Sequence, residues 1–183
     1  MDIVPAGAPK PEVQIVNRYF FNLLCPKFLA WHAGRSQWKN DKNLNDYSIG
    51  IELENKGHDY GYEYFTSKQY ISLKKLVIFL INNLRIEQKN IIFHSDISPN
   101  RKKDPGEKFF INKIGIKRFK QTHLKKRTYS INGLLKKYGF SNYYIKKYPS
   151  KCILSVKRSL NYKKVNSHIG KKFKLDFYNL LIK

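Results

Sequence analysis

Tyr47-Ser48-Ile49-Gly50-Ile51-Glu52-Leu53-Glu54 decides the fold class. Successive side chains of a strand point to opposite faces, so Tyr47, Ile49, Ile51 and Leu53 share one face while Ser48, Gly50, Glu52 and Glu54 share the other. The stretch is a half-buried strand whose second face carries carboxylates beside a glycine that leaves room. Glu52 reads either as a solvated strand residue or as a chemical group on an open face. Downstream, Thr66 and Gln69 have the spacing of a capping box, and Phe65 and Tyr70 that of a hydrophobic staple. The helix they start places Leu73, Leu76, Val77, Leu80 and Ile81 on one buried face and is expected to end near Asn82-Asn83. Ile91-Ile92-Phe93 is the next strand. Strand, helix, strand in this order predicts α/β or α+β construction, with a mixed central sheet flanked by helices.

That last strand runs into His94-Ser95-Asp96-Ile97-Ser98-Pro99-Asn100-Arg101-Lys102-Lys103-Asp104-Pro105-Gly106. A His at the strand mouth, an Asp held by Pro105-Gly106 and Lys102 between them are what a nitrogen/oxygen metal site with an electrophilic helper needs. Alone, the spacing serves an ordinary loop equally well. Upstream, Tyr19 to Leu24 reads as a strand closed by Cys25-Pro26. Trp31-His32-Ala33-Gly34 then opens a polar loop that suits either a ligand wall or a core aromatic. Residues 1–18 are broken by Pro5, Pro9 and Pro11 and read as a poorly structured lead-in.

After Phe119, Lys125-Lys126-Arg127 looks like a linker. Three helical signals follow. Ser130 caps Ile131 to Tyr138 with Gly139 as the stop, Ser150 caps Lys151 to Tyr162, and Leu175 to Ile182 closes the chain. They predict a small three-helix bundle able to lean on the first part.

The net charge of +23 is uneven, because residues 108–183 carry 21 Lys and Arg and Asp176 as their one acid. Nucleic acid, an anionic wall or membrane surface, and the A/T-rich codons of Lys, Asn, Ile, Tyr and Phe all account for it. No reader motif interleaves the basic residues, so no specific nucleic-acid partner is expected. Cys25 and Cys152 form no disulfide framework. The start, Met1 to Lys10, has no signal-peptide pattern, and the longest apolar run, Leu76 to Ile81, is too short for a transmembrane segment. A soluble monomer is expected, and its compartment stays open.

Ala30 to Gly34, Asn45 to Glu54 and His94 to Gly106, in that order, resemble the zinc-dependent N-acetylmuramoyl-L-alanine amidases with the peptidoglycan-recognition-protein fold, above all those acting on anhydro-muropeptides. Residues 131–181 resemble more weakly the three-helix peptidoglycan-binding domain that follows some of them. The resemblance implies an amidase part at 19–122 and a helical wall-binding part at 128–183. It implies Zn2+ with His94 and Asp104 as ligands, Glu52 as acid/base, and Lys102 on the substrate oxygen. Trp31, His32 and Ala33 would line the muropeptide cleft, and Asn45 and Asp46 would order its wall.

One departure matters. The family's first ligand is a His on a strand well upstream of the tryptophan block, and this chain has no His before His32. The implied fold therefore lacks its first strand or strands, as in a truncated or frame-broken gene product, and its third His ligand is missing unless His32 or His58 replaces it. Two outcomes are implied: an amidase acting on peptidoglycan or muropeptides, or a catalytically impaired binding remnant of one. Asn43, where close relatives often place a basic residue, leaves the peptide preference open.

Overall fold

The computed structural model describes residues 2–3, 12–16, 19–22, 30–118 and 130–182. Its main sheet has five strands in the order β3-β2-β6-β1-β7: β1 (Asp2–Ile3), β2 (Glu12–Val16), β3 (Tyr19–Asn22), β6 (Ile49–Leu53) and β7 (Ile91–Ile92). A separate hairpin joins β4 (Gln37–Trp38) to β5 (Asp41–Lys42). β2 runs parallel to β6, with Val13 opposite Ile51, and the other pairs in the main sheet are antiparallel. The mixed sheet expected from the sequence is present.

Residues 1–18, read as a patternless lead-in, contribute two of these strands. Glu12 to Val16 does alternate polar and apolar residues, a signal obscured by the prolines before it, while β1 is too short to show any period. β1 sits between β6 and β7, pairing Asp2 with both Gly50 and Ile92.

α1 (Ser67–Leu84) begins as expected: the Thr66 side chain accepts from the Gln69 amide at 3.2 Å, and Gln69 Oε1 accepts from the Thr66 amide at 2.9 Å. Phe65 and Tyr70 meet edge to face, completing the staple. Leu73 and Val77 of α1 are fully buried against Ile49, Ile51 and Ile91 of the sheet. α2 (His94–Ile97) is a single turn that starts directly after β7 and Phe93.

The C-terminal segment holds four helices, one more than expected: α3 (Ile131–Tyr138), α4 (Asn142–Lys147), α5 (Pro149–Ser159) and α6 (Lys171–Ile182). α4 has only six residues, too few for a periodic face, but Ser141 caps it through the Tyr144 amide. α5 starts two residues earlier than read, with Pro149 at its first position, where a missing N–H costs nothing. Ser150 is therefore inside the helix rather than its cap.

These helices do not form a closed bundle. Their core includes Ala33, Trp38, Leu44, Ile92 and Ile97 from the first part of the chain. Ile91 and Ile92 point to opposite faces of the sheet and so belong to the two different cores. Trp38 stands edge-on to Tyr138 at 5.7 Å and covers Gly139, where an added Cβ would lie 2.3 Å from the indole. Gly139 therefore serves the helix stop and this close approach together. No helix among the described residues is long and apolar enough to cross a membrane.

Candidate active site

β6 ends with Glu52 exposed, and β7 delivers His94 to the same side of the sheet. A cleft of about 240 Å³ opens there, lined by Glu52, His94, Lys102 and Asp104. His94 is nearly buried and Asp104 is 55 % exposed, and His94 Nδ1 lies 3.0 Å from Asp104 Oδ2. His94 Nε2 faces the carbonyl of Ala33 at 3.4 Å. The Ser95 amide donates to the Asp104 carbonyl at 3.0 Å, which folds the loop back onto α2. Burial opposes ionisation of Asp104, but the hydrogen bond and charge of His94 outweigh it and hold the carboxyl well below the usual carboxylate range.

Arg101 ties the loop to the tryptophan block. One of its terminal nitrogens, Nη2, donates to the carbonyls of Ala33 at 3.3 Å and Arg35 at 3.0 Å and to the Ser98 hydroxyl at 2.9 Å. The Ala33 amide donates to Asn45 Oδ1 at 2.8 Å, joining Asn45 to the same stretch. His32 lines the cleft, with Nδ1 3.1 Å from the Ala30 carbonyl and Nε2 2.7 Å from the Ser48 hydroxyl. Its ring packs on Gly50, where an added Cβ would come within 2.7 Å of it. This explains why the polar face of this stretch is buried at Ser48 and Gly50 and opens only from Glu52 onward. Ala33 is fully buried, and Trp31, 81 % exposed, and Asp46, also exposed, do not line the cleft.

The sequence reading weighed His58 only as a replacement ligand and left Tyr62, Pro105 and Phe109 out of the site, yet all four line the cleft. The Tyr62 hydroxyl donates to the Pro105 carbonyl at 2.7 Å and accepts from the Lys108 amide at 2.8 Å. Burial raises the pKa of that phenol far above its ordinary value, so it stays a neutral brace under the Asp104 loop. His58 stacks on Tyr62 and pairs with Glu107 at 3.2 Å. Both residues lie in a loop dense in Gly, His and Tyr, and that density was the available signal.

The zinc implied by the resemblance can be tested against these donors. Imidazole and carboxylate are the right kinds of ligand, and their 3.0 Å separation is close to the roughly 3.3 Å edge of a zinc tetrahedron with ~2.0 Å bonds. In number they fall short, because the described residues contain no group of three or more His, Cys, Asp or Glu side chains placed to hold a metal. His32 and His58, the two candidate replacements, are engaged elsewhere. A catalytic zinc takes three protein ligands, and only two converge among the described residues.

Comparisons with known proteins agree with this geometry. Residues 19–107 match the family model described as N-acetylmuramoyl-L-alanine amidase. The chain is 38 % identical over 116 residues to the N-acetylmuramoyl-L-alanine amidase AmiD of Escherichia coli, covering 58 % of this chain and 40 % of that one. It is 42 % identical over 81 residues to the 1,6-anhydro-N-acetylmuramyl-L-alanine amidase AmpD of Haemophilus influenzae, covering 44 % of this chain and 42 % of that one. The chain thus spans well under half the length of these relatives.

Among solved structures, Escherichia coli AmiD in complex with the substrate anhydro-N-acetylmuramic acid-L-Ala-D-gamma-Glu-L-Lys superposes with a TM-score of 0.72 at 27 % identity, over 88 % of this chain and 72 % of that one. AMPDH3 from Pseudomonas aeruginosa shares the fold, with a TM-score of 0.77 at 23 % identity over 97 % of this chain and 83 % of that one. Residues 19–107, just under half of the chain, thus match an N-acetylmuramoyl-L-alanine amidase domain.

Proposed function

We propose that this chain hydrolyses the amide between the lactyl group of N-acetylmuramic acid and L-alanine in peptidoglycan or anhydro-muropeptides. The observation that carries the reading is the meeting of Glu52, His94, Lys102 and Asp104 around one cleft. The substrate class is supported by the AmiD structure, which holds an anhydro-muropeptide.

Glu52 is the proton carrier. It takes a proton from the attacking water and returns it to the nitrogen of the leaving L-alanine as the C–N bond breaks, giving a carboxylic acid and an amine. Lys102 donates to the amide oxygen as negative charge gathers there. Arg101 and Asn45 hold the wall beside the bond, through Ala33. Trp31, His32, Ala33 and Asp46 belong to the same proposal as residues around the muropeptide. Zinc belongs to it as well, with His94 and Asp104 as ligands, a set one protein ligand short among the described residues. The division into a catalytic part at 19–122, completed by the two strands from residues 1–18, and a wall-binding-like helical part at 128–183 is also part of this reading.

Elemental analysis of the purified protein, combined with mass spectrometry of a digested anhydro-muropeptide, tests it. Bound zinc and released stem peptide are expected. A folded protein that holds no zinc and releases no stem peptide overturns the reading.

A further inference from the structure

α5 reaches both pieces of chain that carry the His94–Asp104 pair. On the His94 side it works through Asp96, which lies two residues further along α2 and is completely buried. Asp96 Oδ2 accepts from the Phe93 amide at 3.1 Å and from Arg118 Nη2, while Oδ1 accepts from the hydroxyls of Tyr138 and Ser155, both at 2.8 Å. Ser155 belongs to α5, and Ser159 of the same helix lies 2.8 Å from the Tyr138 hydroxyl.

On the Asp104 side, Asn161 follows the end of α5. Its Nδ2 donates to the carbonyls of Glu107 at 2.8 Å and Phe109 at 2.7 Å, closing the loop that begins at Asp104. Asn161 holds φ at +55°, the left-handed region that asparagine tolerates better than most residues.

We propose that α5 is the positioning element of the pair, acting on His94 through Ser155 and Asp96 and on the Asp104 loop through Asn161. Two segments of chain must hold one imidazole and one half-exposed carboxylate 3.0 Å apart. The hydrogen bond between them is a weak restraint by itself, whereas a helix bonded to both segments fixes their separation. Groups that ligate a metal are generally oriented by just such outer partners. The C-terminal helices are then part of the site's frame, whatever else they bind. The proposal builds on the pair being the ligand pair of the amidase reading, but its test needs neither metal nor substrate, so the two stand or fall separately.

The probe is protein with 15N-labelled histidine, the His94 ring signals being assigned with His94→Gln. Asp96→Ala would remove the carboxylate that faces Arg118 in the core, so the variants lie on α5 and just beyond it. Asn161→Asp keeps the shape and loses both donors, Asn161→Gly removes the side chain while relieving the backbone, and Ser155→Ala removes one of four donors to Asp96. Leu181→Ala, in the same helical core, is the comparison for general loosening. The His94 ring signals are expected to shift in all three variants, Asn161→Gly included although its backbone is relaxed, and to stay in place in Leu181→Ala despite its lower melting temperature. Unmoved His94 signals in the three variants, or an equal movement in Leu181→Ala, overturn the proposal.

Discussion

Asp96 and Asp104 belong to the same loop and live in opposite surroundings. Asp96 is sealed in the junction between the sheet and the C-terminal helices, where four donors, one of them the Arg118 guanidinium, satisfy it completely. Asp104 stands half exposed at the cleft with one side-chain partner, His94. The difference teaches where chemistry is available. A carboxylate with every lone pair committed inside the fold holds structure, while one kept ionised and open beside an imidazole can still bind something.

Removing each carboxylate should separate the two roles most widely. Asp96→Ala takes the carboxylate partner from the buried, charged Arg118, so it should cost roughly 3–5 kcal/mol of stability, seen as a large fall in the urea midpoint. Asp104→Ala gives up one partly exposed pair and should cost under about 1 kcal/mol. Equal losses in the two variants would erase the distinction. Next in size, Lys102→Met should lower kcat/KM against an anhydro-muropeptide by about 10²–10³, the usual cost of losing one oxyanion donor, with the urea midpoint unchanged. A midpoint that fell in step with activity would move Lys102 from the cleft's chemistry to its architecture.

Gly50 lies between these extremes, because it belongs to the strand that bears Glu52 and is covered by His32. A Cβ there would meet Cβ and Cγ of His32 at 2.7 Å, and the strand or the ring must shift. Gly50→Ala should cost about 1–3 kcal/mol, as overpacking does, and should also disturb the cleft. Matched loss of stability and activity is the expected result. Wild-type values for both would show that the His32 wall yields freely.

Much of this was legible in the sequence. The period-two pattern of β6, the capping box of α1 and the order of the three blocks each carry local information, and the resemblance tied His94, Asp104, Glu52 and Lys102 to one site before any contact was known. The junction around Asp96 was not legible. Its donors come from Arg118, Tyr138 and Ser155, three separate places in the chain, and nothing local to Asp96 distinguishes a buried hub from a loop acid. α4 escaped because six residues make no period, and β1 because a strand of two residues is defined by its neighbours. Tyr62 was hidden because its role depends on the loop it braces from 43 residues away in sequence.

The smallest expected effect concerns a buried group with neither role. Cys152 lies in the junction core, fully covered, and burial pushes its thiol up from 9.0 to about 12. The folded protein therefore keeps this proton while the unfolded chain begins to release it. The contribution to stability is complete below pH 9 and declines as the pH rises from 9 toward 12. For one proton the slope approaches about 1.4 kcal/mol per pH unit. Tyr138, which burial also raises from 10.0, adds its own decline only at higher pH. Unfolding free energies measured in urea between pH 8 and pH 10 should thus fall in the wild type and stay nearly level in Cys152→Ala. An identical decline in both would mean that water reaches the thiol, and that the seal around Asp96, on the same face of the junction, is looser than its hydrogen bonds indicate.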